Sequence, residues 1–318
     1  MQYYGLKKLL NQNQPVKNVI NNLGEEQELA GFELEVFNVL KKRLPNFKDY
    51  LFVVWGNDGN NLPLSRYIQH DKKVLIWRGN ENKSNRVDEL KKYYKHIFTN
   101  YYWDEANSTS LQLGYHTQTK NKTIIPIRER LFNISFTGCL NRNRVQLASI
   151  LTNISIKWIG LGLLFCKTFT LKILNNLVRW KYNNDYYQFN DGFNNGLNEE
   201  EFNFILKNTK IILCPRGWGN TETFRLYESM KWGCVVISEE LPDRSYYKDI
   251  PIIKISDWKE GLEIANKMVH DTKLLEEMSS KNIQYYKDNL SPKATANLII
   301  NKLTGGPGVG NGVETLNF

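Results

Sequence analysis

The sequence predicts an α/β protein built from two domains. In the N-terminal half, short apolar runs rich in β-branched residues alternate with segments of helical periodicity. In the C-terminal half, Lys210–Glu239 has the pattern strand, glycine-containing loop, helix and strand. A strand–helix–strand unit of this length implies a right-handed crossover between parallel strands. A chain of 318 residues is long enough for two domains, each with its own core.

The N-terminal half contains two predicted helices, Phe32–Leu44 and VDELKKYYK, and three clear strands. Phe32–Leu44 places its apolar residues on one helical stripe, and Pro45 then stops the helix. The predicted strands are YLFVVW, KVLIW and HIFTN, with weaker candidates in LQLGYH and TIIPI. Residues 1–30 are polar and are expected to be an irregular lead-in. We therefore expect an α/β domain that closes near Pro126.

The C-terminal half begins with the strand ISFTG, which runs into a glycine turn before the helix VQLASIL. A strand that ends in glycine ahead of a helix is one design for binding anions. An ordinary turn that carries a solvated arginine fits the same residues equally well. The apolar segment ISIKWIGLGLLF is expected to be the next strand region. Asn198 is expected to cap a helix with three glutamates in its first turn.

The central stretch Lys210–Glu239 brings polar residues to one place. Asn220 or Thr221 can cap its helix, and at 100° per residue Thr221, Arg225 and Glu228 fall in one narrow sector. Arg216 lies in the loop just past the strand, where doubly wound sheets bind ligands. Two arginines and a helix N-terminus would suit a diphosphate, and Glu228 could accept hydrogen bonds from a ribose. The alternative is a surface i,i+3 pair between Arg225 and Glu228.

These residues resemble the donor-site region of the exostosin-like glycosyltransferases. The matching segments are CPRG at Cys214–Gly217, T-x-R-L-x-E at Thr223–Glu228 and the strand entered through Gly233–Cys234, with further agreement in LFNISFTGCLNRNR and G-L-x-x-E-E. The likeness covers Leu131 to about Leu290 well and the N-terminal part only by layout. It implies a GT-B-like fold of two Rossmann-like domains facing across a cleft.

The resemblance also implies the residues that bind the nucleotide-sugar donor. They are Arg216, Gly217, Thr221, Thr223, Arg225, Glu228, Gly138, Asn141 and Arg144. The expected domains are residues 1–128 on the acceptor side, 129–290 for the donor, a helix at 291–304 that crosses back to the first domain, and a flexible glycine-rich tail at 305–318.

The expected reaction moves a sugar to a hydroxyl of a glycan or a lipid-linked glycan. No D-x-D stands beside an apolar strand, so we expect no metal and no other cofactor, with arginines and a helix dipole neutralising the diphosphate. Many retaining GT-B enzymes carry a glutamate at the position of Asn220, and its absence favours inversion. An inverting reaction needs a general base. Asp58 is the first candidate, with Glu33 and His116 as alternatives, although each also fits a loop, cap or solvated residue.

The composition and charge help to rank the alternative classes of function. The net charge of +9 comes from scattered lysines and arginines, without a dense basic tract, so a nucleic-acid-binding protein ranks third. A nucleotide-sugar-binding protein or an epimerase on the same fold ranks second. The four cysteines lack C-x-x-C spacing, and MQYYGLKKLL lacks the apolar core of a signal peptide. The expected location is the cytoplasm, with peripheral membrane contact through the basic surface.

Overall fold

The computed structural model describes residues 14–56, 62–78, 86–101, 104–115, 123–192 and 195–306. The chain divides into two compact units. The first comprises the described residues up to Gln112 together with those from Asn289 onward, and the second is Leu113–Asp288. The sequence-based boundaries at residues 128 and 290 stay a prediction.

The first unit is built on a six-stranded sheet with the order β2-β1-β3-β4-β5-β6. Its strands are β1 (Gln14–Ile20), β2 (Glu26–Leu29), β3 (Leu51–Trp55), β4 (Lys73–Trp77), β5 (His96–Thr99) and β6 (Ser108–Ser110). Its helices are α1 (Gly31–Arg43), α2 (Arg86–Leu90) and α10 (Pro292–Thr304). The β1–β2 pair is antiparallel and the other four pairs are parallel.

Two sequence-based expectations for the N-terminal half of the chain are wrong. The lead-in at residues 1–30 is not irregular throughout, because its described part forms β1 and β2. Neither weak strand candidate is a strand within the described residues: β6 lies just before LQLGY, and TIIPI leads into a single 3₁₀ turn. A polar strand such as Ser108–Ser110 has no apolar signal, and it forms because it pairs with β5 at the edge of the sheet.

The last helix, α10, packs on α1 within the first unit. Ser291 caps α10 through its side chain, which accepts a hydrogen bond from the Ala294 N–H, and Pro292 occupies the first turn. Nη1 of Arg43 on α1 donates to Oδ1 of Asn297 on α10 over 2.9 Å. Residues far apart in the sequence are therefore joined in one unit.

The second unit contains a five-stranded, wholly parallel sheet with the order β11-β10-β9-β7-β8. Its strands are β7 (Phe132–Cys139), β8 (Tyr186–Asn190), β9 (Thr209–Cys214), β10 (Val235–Glu239) and β11 (Ile253–Ile255). Its helices are α3 (Val145–Thr152), α4 (Ile156–Phe165), α5 (Lys167–Lys181), α6 (Glu199–Lys207), α7 (Phe224–Lys231), α8 (Trp258–Met268) and α9 (Thr272–Tyr285). The strand order reverses direction between β7 and β9, which makes this pair the topological switch point.

The segment that was expected to continue as a strand is instead the helix α4. The side chain of Ser155 accepts a hydrogen bond from the Trp158 N–H and caps the helix. A continuous apolar run gives no periodicity that separates a buried strand from a helix, so this expectation was wrong. By contrast, Asn198 and Glu201 form the capping box at the start of α6, where a capped helix was predicted.

Candidate functional site

The carboxyl ends of β7 and β9 lie side by side in the second unit, since the two strands pair in parallel. In doubly wound sheets, ligands bind at the carboxyl ends of the strands beside the switch point. Gly138 lies at the end of β7, Asn141 and Arg144 lie in the turn that follows it, and the loop after β9 carries Arg216 and leads into α7. The sequence-predicted donor residues therefore belong to two adjacent strand ends and one helix start.

Arg144 fastens these two loops together. Its Nη1 donates to the carbonyl oxygen of Cys139 over 2.8 Å, and its Nε donates to that of Arg216 over 3.1 Å. The side chain is buried and forms no ion pair within the described residues. Burial, and secondarily the charge of Arg225, lower the pKa of Arg144 to about 9. Arg144 is thus a buried cation bonded to backbone carbonyls, which differs from the solvated arginine of the alternative interpretation.

Arg225 projects from the first turn of α7 toward the end of β7. Its Nη2 donates to the carbonyl oxygen of Thr137, and its guanidinium lies 4.8 Å from the centroid of the Phe136 ring. Its Nε and Nη1 are shielded from solvent and have no hydrogen-bond partner within the described residues. Burial lowers the pKa of Arg225. Two N–H groups of the Arg225 guanidinium are therefore available to donate hydrogen bonds to an acceptor group.

Gly138 makes room for both guanidiniums. A Cβ at this position would overlap Nη2 of Arg225 and would lie 3.2 Å from Nη1 of Arg144. The nearby turn and helix start add further buried groups without hydrogen-bond partners among the described residues: Nδ2 of Asn141, Nδ2 of Asn220 and Oγ1 of Thr223. Amide nitrogens donate, and a hydroxyl can donate. Together with the two arginines they form a set of donors that fits an anion.

The loop after β9 is held by its backbone. The amide N of Gly217 donates to the carbonyl oxygen of Asn220 over 2.8 Å, and Nδ2 of Asn143 donates to the carbonyl oxygen of Gly217 over 2.6 Å. The Arg216 side chain is exposed, and its Nη2 donates to the carbonyl oxygen of Gly219 over 3.2 Å. Unlike Gly138, Gly217 has no atom within 3.4 Å of where its Cβ would stand. Arg216 is therefore the solvent-exposed arginine of the candidate site and Arg225 the shielded one.

The start of α7 lies later than the sequence predicted. The N-cap residue is Thr223, and its side chain makes no capping hydrogen bond, so neither Asn220 nor Thr221 is the cap. Glu222, which directly precedes Thr223, is buried beside Arg244, with 4.0 Å between carboxylate and guanidinium. Thr221 is half-buried. The Glu222 carboxylate therefore faces Arg244 at the start of α7.

Glu228 is only 3% exposed and is therefore not part of a surface pair. It lies one turn after Arg225 on α7, and its charge opposes the lowering of the Arg225 pKa that burial causes. The surface i,i+3 interpretation is wrong because a solvated pair requires exposed side chains. A buried carboxylate in a donor site must be satisfied by hydrogen bonds or by a ligand.

Two contributors to the site were missed at the sequence level. The ring of Phe136 lies under both guanidiniums, with 5.6 Å from its centroid to Cζ of Arg144. Glu239 ends β10, where its carboxylate accepts from the Arg216 N–H over 2.9 Å and from the Trp258 indole N–H over 2.9 Å. A polar residue at the carboxyl end of a parallel strand beside β9 was the available signal for Glu239. No signal in the sequence indicated how Phe136 packs.

Of the three candidate bases, only Glu33 lies within the described residues. Its Oε1 accepts from Nε of Arg78 over 3.1 Å, in the first unit. Asp58 and His116 lie outside the described residues.

Within the described chain no group of three or more His, Cys, Asp or Glu side chains is arranged to hold a metal ion. Metal independence stays a prediction. In the same part of the chain, no helix is both long enough and apolar enough to cross a bilayer.

Comparison with solved structures gives the fold. Anabaena HepE in complex with UDP and glucose aligns with 90% of this chain and 99% of its own, at 11% identity and a TM-score of 0.50. The chain has a GT-B-like fold. OtsA in its apo form aligns with 86% of this chain and 76% of its own, at 11% identity and a TM-score of 0.50. The present chain spans 59% of the length of TarM, at 12% identity and a TM-score of 0.48. No family model and no curated protein matches the sequence.

Proposed function

We propose that the protein is an exostosin-like glycosyltransferase that moves a sugar from a nucleotide-sugar donor to a hydroxyl of a glycan or lipid-linked glycan. The observation that carries this proposal is the pair of shielded guanidiniums, Arg144 and Arg225, at the switch point of the second sheet. Neither forms an ion pair within the described residues. A shielded cation without a carboxylate partner is costly unless an anion approaches it.

The diphosphate of a nucleotide-sugar supplies that anion. Arg225 offers Nε and Nη1, and the first turn of α7 adds backbone N–H groups that no side chain caps. Negative charge grows on the diphosphate as the sugar leaves, and preorganised donors stabilise that charge more strongly than they stabilise the ground state. Arg216, exposed on the neighbouring loop, would contact the outer side of the same group.

Glu228 would bind the ribose. A diol offers two hydroxyl donors, and one ionised carboxylate accepts both. The burial of Glu228, one turn deeper than Arg225, supports a role inside the site. The assignment separates two tasks: arginines take the phosphates and the carboxylate takes the sugar of the nucleoside.

The proposed transfer proceeds without a metal and with inversion. The arginines and the α7 terminus would replace the charge of a metal ion, and Asn220 stands where retaining relatives of this fold carry a glutamate. In an inverting step, a base takes the proton of the acceptor hydroxyl as its oxygen bonds to the anomeric carbon and the nucleoside diphosphate departs. Asp58 is the proposed base, with Glu33 and His116 as the alternatives.

The test is ligand-dependent stability followed by turnover. Ligand binding to the folded state raises the melting temperature by mass action. We expect UDP, GDP or their sugar conjugates to raise it, and uridine alone to do so less. Arg128→Gln serves as a control because Arg128 is an exposed arginine of the same unit. Loss of the shift in Arg225→Gln but not in Arg128→Gln supports the site, whereas equal shifts in both would place nucleotide binding elsewhere.

Turnover separates the proposal from its competitors. A nucleotide-sugar-binding protein would bind without consuming the donor, and an epimerase would change the sugar without an acceptor. A nucleic-acid-binding protein would bind a generic duplex in a salt-dependent way that Arg225→Gln leaves unchanged. Release of nucleoside diphosphate that requires an added glycan or lipid-linked glycan is the expected result, and its persistence in EDTA tests metal independence.

A further inference from the structure

The helices α4 and α5 form a hairpin with a large exposed apolar surface. Its exposed side chains include Trp158 at 70%, Leu164 at 80%, Phe165 at 84% and Trp180 at 84%. Soluble proteins rarely expose contiguous apolar patches of this kind unless the patch binds something. The hairpin lies outside the turns that build the candidate donor site, so its exposed face needs a separate explanation.

The helix α5 is apolar on two opposite faces. Leu171, Leu174 and Val178 point into the core of the second unit. Phe169 and Trp180 fall within about 20° of each other on the far side, at 100° per residue. Both are exposed. One apolar face explains how the helix docks on its own domain, and among the described residues no such partner covers the second face.

The helix α4 repeats this arrangement, and the two helices are held together. Ile159 is buried, whereas Trp158, Leu164 and Phe165 lie on the exposed side. The helices approach closely at Gly162, where a Cβ would stand 2.5 Å from Oγ1 of Thr170. The end of α4 and the start of α5 therefore present their aromatic residues from one packed hairpin.

The charge of the hairpin indicates the partner. Residues 156–181 contain five lysines or arginines and no aspartate or glutamate. Lys157, Lys172 and Arg179 are exposed, and none forms an ion pair among the described residues. On a helical wheel, Lys172 and Arg179 lie together about 60–80° to one side of Phe169, next to the stripe that it forms with Trp180. Aromatic residues bordered by cations are the pattern of helices that lie in the interface of an anionic bilayer.

We propose that the α4–α5 hairpin is a docking surface for an anionic lipid membrane. Trp158, Phe165, Phe169 and Trp180 would enter the boundary between headgroups and acyl chains, while Lys157, Lys172 and Arg179 contact lipid phosphates. A second copy of the chain is disfavoured because a two-fold contact through this face would bring unpaired cations together. The proposal does not depend on the proposed transferase activity.

The experiment is co-sedimentation of the full chain with vesicles of phosphatidylcholine alone or mixed with phosphatidylglycerol. We expect binding to the mixed vesicles that weakens as salt is added. The double variant Trp158→Ser/Trp180→Ser should weaken it by at least about tenfold, since two aromatic anchors are lost. Lys157→Gln/Lys172→Gln should weaken it by about fivefold per charge. Both pairs of residues are exposed, so neither change removes a buried contact of the fold.

Matched controls use exposed residues of the same unit outside the hairpin. Phe204→Ser on α6 removes a half-exposed aromatic ring, and Lys259→Gln/Lys273→Gln removes two exposed charges from α8 and α9. These variants should bind vesicles as the parent does. Sedimentation that is absent, or that the tryptophan variant leaves unchanged, overturns the proposal. A concentration-dependent dimer that the tryptophan variant dissolves, without vesicle binding, would assign the face to a second copy and also overturn it.

Discussion

The guanidiniums of Arg144 and Arg225 share one aromatic ring, that of Phe136, with their Cζ atoms 5.6 and 4.8 Å from its centroid. A ring face attracts cations and holds each guanidinium in place. It does not cancel their charge, and Arg225 contributes to the lowered pKa of Arg144. The carboxyl ends of β7 and β9 thus carry two neighbouring positive charges, which an anion would bring closer to neutrality.

Gly138→Ala is expected to abolish this arrangement with little effect on the fold. The new methyl would overlap the end of the Arg225 side chain, which can move away without shifting the backbone. The displaced guanidinium would lose its alignment for a diphosphate, and we expect about tenfold weaker UDP or GDP binding. Calorimetric titration checks the affinity, and the melting temperature checks the fold.

The control for that change is Gly160→Ala on α4. A Cβ at Gly160 meets no atom within 4 Å, and alanine is favoured over glycine within a helix. Nucleotide affinity should remain at the parental value in this variant. If Gly138→Ala binds nucleotide as tightly as Gly160→Ala does, the two arginines are not the phosphate site.

The shielded Arg225 and the exposed Arg216 should contribute unequally to nucleotide binding. Arg225→Gln removes charge-assisted hydrogen bonds in a site partly closed to water, which corresponds to about 1.5–3 kcal/mol of binding free energy. Arg216→Gln removes a solvated charge and should cost about 1 kcal/mol or less. Affinities for UDP measured at two salt concentrations test this difference, because only the contribution of Arg216 should fade with salt. A larger loss at Arg216 would contradict the assignment.

The sequence indicated the location of the site better than its geometry. Strand ends and turns predicted Arg216 and Gly138, helical spacing predicted Arg225, and the structure places all three residues around the carboxyl ends of β7 and β9. The surface interpretation of Glu228 was wrong because helical spacing gives the direction of a side chain and not the depth of its burial. Helix α7 starts after Thr223, and Glu222 faces Arg244, a contact 22 residues away that no local pattern reveals.

The elements with a strong local signal were predicted, and those that depend on tertiary contacts were not. The capping box at Asn198 and the buried strand β9 carry their own signals and formed as expected. The segment of α4 reads as a buried strand because its apolar residues are continuous. Its exposed tryptophan and phenylalanine residues break the rule that such a run is buried, and such exceptions are expected at binding surfaces.

Acid should destabilise the first unit through His96. This residue is buried in β5, where its Nε2 shares a 2.8 Å hydrogen bond with Oγ1 of Thr109. Burial, assisted by Lys302 and opposed by Asp104, lowers its pKa from 6.5 to about 4. Between pH 6.5 and about 4, the unfolded chain binds the proton more readily than the folded chain does. The free energy of unfolding therefore has its full value above pH 6.5 and falls as the pH decreases toward 4. The loss should reach about 3 kcal/mol.

Unfolding in denaturant at a series of pH values measures this effect. His96→Gln has no titrating ring, and its stability should depend less on pH between 6.5 and 4 than that of the parent. His70→Gln, at an exposed position, is the control and should keep the parental slope. Parallel curves for the parent and His96→Gln would show that other groups cause the acid sensitivity.

Glu228 gives the sharpest separation between nucleoside and phosphate recognition. A buried carboxylate near Arg225 repels phosphates, whereas a ribose diol would supply it with two donors. Glu228→Gln replaces one acceptor oxygen with a donor and should weaken UDP binding by about tenfold, with a larger loss in Glu228→Ala. Inorganic pyrophosphate has no diol and loses a repulsive charge in both variants. Its affinity should therefore stay the same or rise, and parallel titrations should show weaker binding for UDP only. Equal losses for both ligands would mean that Glu228 supports Arg225 structurally and does not bind the ribose.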